Sequence, residues 1–119
     1  MPTEADAWSF IPLTDLSFQV LLALTGEPLH GYAILKAIEA RTDGRLKPES
    51  GTLYTAIRRL ARDGLLEVDE AGAGRRGRSY RLTETGRQVV RLESERLAAL
   101  VREARERRVL QPEGGSHGR

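Results

Sequence analysis

The sequence predicts a mainly α-helical domain that carries one small β-hairpin and continues into a single long helix. Three observations predict it. Apolar residues recur at helical spacing in three stretches between Leu13 and Leu60. Two short β-like stretches follow, Leu65 to Asp69 and Arg78 to Leu82, with a Gly-rich segment between them. From about Glu84 to Arg108 a helical pattern returns with an apolar seven-residue repeat.

Each element has its own signals. Residues 1–12 show no helical period and contain Pro2 and Pro12, so they are expected to form an N-terminal arm. Leu13, Leu16, Val20, Leu21 and Leu24 then mark a first helix over about 14–25, with Thr14 as its N-cap. Phe18 and Leu22 lie off that stripe and leave the helix a second apolar side. Gly26-Glu27-Pro28 ends it. A second helix is expected from about Gly31 to Arg41, with Tyr32, Ile34, Leu35 and Ile38 buried and Thr42-Asp43-Gly44 as its stop. Pro48 is placed in the first turn of a third helix, which ends at Asp63-Gly64 with Gly64 as its C′ residue. Leu65 to Asp69 reads as a strand, Ala71 to Gly74 as a flexible loop and Arg78 to Leu82 as the returning strand. Thr83 caps the last helix. Gly86 sits in its first turn at a cost of about 1 kcal/mol relative to Ala, for which the sequence offers no reason.

These elements make a winged helix-turn-helix over residues 13–83, a C-terminal helix over 84–110 and a disordered tail over 111–119. A chain of 119 residues holds one small domain with a modest core. The absence of Cys excludes disulfides and thiolate metal sites, and two isolated His make no zinc site, so neither metal nor cofactor is expected. The longest apolar run, Val20 to Leu24, is too short to cross a bilayer, and no signal peptide is evident, so a cytoplasmic location is expected. There is no Gly-rich phosphate loop, no Ser/His/Asp set and no paired carboxylates in a pocket pattern. The expectation is a protein that is not an enzyme.

The functional signal lies in the third helix. On a wheel of 100° per residue, Leu53, Ile57 and Leu60 share one side, with Ala56 at the margin. Thr55, Arg58 and Arg62 lie opposite, flanked by Tyr54 and Arg59. A solvated helix face usually mixes charges to gain i,i+4 pairs, whereas this one gathers like charges that want an anion. The width of a DNA major groove admits one helix, read from its N-terminal end. Ser50, Thr52, Tyr54 and Thr55 occupy that end, with Arg58 one turn deeper and able to hold a guanine edge in bidentate fashion. Arg75, Arg76 and Arg78 stand at the hairpin tip and suit phosphate or minor-groove contact, as does Lys47 before the helix. Double-stranded DNA is the partner these residues imply. A protein-binding module of the same shape is the alternative.

In the last helix, Val90, Leu97 and Ala104 repeat every seven residues and Val101 adjoins them. With Phe18 and Leu22 of the first helix they form a seam whose natural cover is a second copy of the chain. A homodimer also spaces two reading helices to meet a palindrome.

The motifs Leu29-His30-Gly31-Tyr32, Lys47-Pro48-x-x-Gly51-Thr52-Leu53-Tyr54, Arg59-Leu60, Asp63-Gly64-Leu65-Leu66 and Gly77-Arg78-x-Tyr80-Arg81-Leu82-Thr83-x-x-Gly86 together resemble the PadR family of bacterial transcriptional regulators. The resemblance spans about residues 13–108. It implies a homodimeric winged-helix repressor, operator contacts through the third helix and the wing, and dimerisation through the last helix. Thr55 departs from the Pro that often follows the Tyr in the family, and the single C-terminal helix resembles the compact subgroup. Some members take small aromatic effectors near the dimer interface. Trp8, Phe10 and Phe18 could line such a pocket or could be interface core.

Overall fold

The computed structural model describes residues 4–74 and 77–111. In chain order the elements are α1 (Glu4–Trp8), α2 (Asp15–Ala23), β1 (Leu29–His30), α3 (Gly31–Arg41), α4 (Ser50–Arg62), β2 (Leu66–Gly74), β3 (Gly77–Leu82) and α5 (Glu84–Glu106). The strands form an antiparallel sheet in the order β1-β3-β2. This is a winged helix-turn-helix with a long C-terminal helix, the predicted fold class.

The caps explain why the helices begin and end where they do. The Thr14 hydroxyl accepts from the Ser17 N–H at 3.1 Å and opens α2. At the end of α4, Gly64 adopts φ 79°, the Leu65 N–H donates to the Leu60 carbonyl at 2.9 Å, and the Gly64 N–H donates to Ala61 at 3.0 Å. These two bonds satisfy the last carbonyls of the helix and turn the chain directly into the hairpin. Thr83 joins two elements: its hydroxyl donates to the Gly64 carbonyl at 2.6 Å and accepts from the Gly86 N–H at 3.0 Å. The start of α5 is thereby tied to the end of α4. Gly86 now has its reason. A Cβ there would overlap the Leu65 carbonyl oxygen, so only glycine allows α5 to lie this close to the α4–β2 turn.

Val20 and Leu21 of α2, Leu24 at its C-cap, Ile34 and Ile38 of α3, and Leu53, Ile57 and Leu60 of α4 meet Leu65, Leu66, Tyr80, Leu82, Val89 and Leu92 in one core. These side chains supply most of the apolar burial that stabilises the domain.

Several expectations need correction. The arm contains a helix, α1, which packs on α5 and buries Ala7 completely. Five residues are too few to show a period, and packing decides their conformation. Leu29 and His30 form a strand because β3 pairs with them, Leu29 opposite Tyr80 and His30 opposite Ser79. Pro48 lies outside α4, whose N-cap is Glu49. Ala71 to Gly74 belong to β2, with an irregular register between Asp69 and Gly74. Tyr32, expected in the core, is 66% exposed. Ile34 and Ile38 point inward, and a residue two positions before Ile34 falls on the opposite side of a helix. The tail expected from residue 111 lies, beyond that residue, outside the described residues.

Candidate nucleic-acid interface

α4 is divided by its own sequence. Leu53, Ile57 and Leu60 are buried, while Ser50, Gly51, Thr52, Tyr54, Thr55, Arg58, Arg59 and Arg62 are exposed. Burying the first set fixes the second toward solvent. Arg58 is held along the helix by a 3.2 Å hydrogen bond from its guanidinium to the Thr55 hydroxyl. This directs its charge back toward the N-terminal end of α4. Among the described residues, neither Arg58 nor Arg59 has an acidic partner, and Arg62 makes a long 3.7 Å pair with Asp63. The face therefore presents short hydroxyls and unneutralised guanidinium groups, beside an exposed Lys47.

The hairpin carries two kinds of Arg among its described residues. Arg78 is exposed at the start of β3. Arg75 and Arg76 lie outside the described residues. Arg81 is bound to Glu67 at 2.8 Å and Asp69 at 2.9 Å, across from it on β2. The Glu67 hydrogen bond is the main cause holding its guanidinium above the ordinary value. Arg81 therefore staples the two strands together and stiffens the wing.

The start of α3 adds residues that sequence reasoning missed. Tyr32 is exposed there, and the Lys36 ammonium lies 5.3 Å from its ring centre. The Tyr32 hydroxyl, with help from Glu39 at 3.5 Å, holds Lys36 above its ordinary pKa. One residue earlier, Gly31 is buried beneath the ring of Tyr54 from α4. His30 sits at the N-cap position of α3 without a side-chain cap, and its Nδ1 lies 3.3 Å from the Ser79 hydroxyl on β3. The helical period betrayed the outward position of Tyr32. Nothing in the sequence signalled the contact between Tyr54 and Gly31.

The predicted seam is only partly free. Val90 is buried in the core of its own chain, so it is not a free seam residue. The spacing alone could not show that α1, α2 and β3 of the same chain pack on α5. Phe18 and Leu22 are half-buried at the edge of the same core. Farther along α5, Leu97 and Ala104 are half-buried, Leu100 is 50% exposed and Val101 37% exposed. Trp8 is half-exposed on α1 and Phe10 half-buried. A cavity of about 590 Å³ opens at the end of α5 between Arg105 and Gln111, and none of Trp8, Phe10 and Phe18 lines it. Among the described residues no group of three or more His, Asp or Glu is placed to hold a metal ion, and no helix is long and apolar enough to cross a membrane.

Comparison with known proteins matches residues 20–92 to a family model described as the transcriptional regulator PadR-like family. An uncharacterised 37.1 kDa protein in a transposon of Streptomyces fradiae is 41% identical over 87 residues, which are 72% of this chain and 24% of the relative. The transcriptional regulator YqjI of Escherichia coli is 32% identical over 74 residues, 62% of this chain and 35% of the relative. The chain thus spans about a quarter to a third of the length of these curated relatives. Among solved structures, Bacillus subtilis PadR in complex with operator DNA superposes with a TM-score of 0.58 at 21% identity, over 67% of this chain and 46% of that one.

Proposed function

This chain belongs to the PadR-like family of transcriptional regulators, and from that premise we propose that it is a repressor that binds a palindromic operator as a homodimer. The observation that carries the reading is the exposed face of α4, where hydroxyls and unpaired Arg side chains stand opposite a fully buried apolar face. Ser50, Thr52 and Thr55 let the helix backbone approach the base edges, and Arg58 reaches a guanine. Lys47, Arg59, Arg62 and the wing residues Arg75, Arg76 and Arg78 hold phosphates on either side. Tyr32 and Lys36 extend the phosphate contacts to the start of α3. The operator complex of the Bacillus subtilis neighbour supports duplex DNA as the partner.

The exposed Leu100 and Val101 beside half-buried Leu97 support a second copy as the cover of α5. A small aromatic effector that releases the operator would enter among Trp8, Phe10 and Phe18. Footprinting on the DNA upstream of its own coding region tests the proposal. A protected palindrome is the expected result. Absence of protection on any duplex, together with binding to a protein partner that does not weaken with salt, would instead favour a protein-interaction module.

A further inference from the structure

Gly31 is a glycine that its backbone does not require. It is the first residue of α3 and its φ is not in the left-handed region. Alanine is the better helix former, so something else must need the glycine. A Cβ on Gly31 would overlap the phenol of Tyr54, meeting its hydroxyl, its ring apex and a neighbouring ring carbon together. The overlapping group is the end of a rigid aromatic ring, which cannot fold aside as a flexible chain can.

The same point is tied to the wing. Leu29 and His30, immediately before Gly31, pair with Tyr80 and Ser79 of β3, and His30 meets the Ser79 hydroxyl. The start of α3 is therefore fixed to the sheet on one side. On the other it receives a ring from the first turns of α4, one residue beyond buried Leu53. Three elements are referenced to one backbone position: the recognition helix, the helix before it, and the wing.

We propose that Tyr54 is a positioning residue for DNA readout. Its ring, wedged on Gly31, sets the placement of the N-terminal end of α4 relative to α3 and the wing, so that Ser50, Thr52, Thr55 and Arg58 meet the bases in register. This rests on the DNA-binding reading, but one arm of its test does not.

The DNA arm uses a duplex that the wild-type protein enriches from a random-sequence pool, and compares affinity for that duplex with affinity for the unselected pool. Tyr54→Ala and Gly31→Ala each lower this ratio about tenfold, the scale of one good base contact, and combining them costs less than the product of the two losses. Tyr54→Phe, which restores the ring without its hydroxyl, recovers the ratio lost in Tyr54→Ala. If Tyr54→Phe fails as badly as Tyr54→Ala, the ring is not what positions α4 and the proposal is overturned. The second arm is thermal unfolding without DNA. Gly31→Ala melts several degrees lower, and adding Tyr54→Ala returns part of the loss by removing the overlap. Wild-type melting of Gly31→Ala overturns the wedge even where DNA binds normally. If wild-type protein enriches no sequence while the melting arm behaves as stated, the DNA-binding reading fails and the wedge stands as a structural contact alone.

Discussion

Among the described residues, Glu93 is the one carboxylate that the fold buries almost completely, at 1% exposure. It is not left unpaired. The Arg96 guanidinium donates to both its oxygens, at 2.6 and 3.1 Å, and the Leu13 N–H donates to Oε2 at 2.8 Å from a residue just ahead of α2. Arg96 is the main cause that holds its pKa below the ordinary 4.5, outweighing a burial effect in the opposite direction. A carboxylate depressed in the folded state stabilises the protein above its unfolded pKa and loses that contribution as pH falls through the folded value. Stability should therefore drop as pH is lowered below about 4.5. Glu93→Gln should be less stable at neutral pH by about 1–3 kcal/mol and should show a weaker acid-limb loss. Urea unfolding at a series of pH values measures both. Gly86→Ala should cost about 1–3 kcal/mol by forcing α5 off the Leu65 carbonyl, where an ordinary helical glycine would gain from the change. At this scale the sequence was least legible. It names the residues, but one partner of Glu93, the Leu13 N–H, lies 80 positions away. The reason for Gly86 likewise lies in another element.

At the scale of elements, most of the fold could be read directly. Thr14 and Thr83 as caps, Gly64 as the residue past α4, and the buried stripe of Leu53, Ile57 and Leu60 all follow from local rules. α1 and β1 escaped because each is defined by what it packs on, α5 for one and β3 for the other. The pairing of Arg81 with Glu67 and Asp69 escaped for a related reason, because it depends on the antiparallel register that sets the two strands side by side. For α4 the expectation is sharp. Arg58→Ala should weaken binding to a selected duplex by about 1–3 kcal/mol and leave random-sequence binding almost unchanged. Fluorescence anisotropy on the two probes separates these. A uniform loss on both would assign Arg58 to phosphate.

For the whole molecule the question is what covers the second half of α5. The spacing of Val90, Leu97 and Ala104 points to α5, and burial of Val90 within its own chain moves the proposed seam toward its C-terminal half. Under the proposed dimer, light scattering gives twice the chain mass of 13.2 kDa for wild type and a single chain mass for Leu97→Glu. Equal masses for the two would place the interface elsewhere.

The most direct test of the central claim is the affinity of the wild-type protein for its selected duplex, measured over a series of salt concentrations. A helix face and wing that neutralise phosphates release counterions, so log affinity should fall linearly with log salt with a slope of about −0.9 per phosphate contacted, and Arg75→Ala should make that slope shallower by about one unit. A binding constant that does not change with salt, in wild type and variant alike, would contradict it.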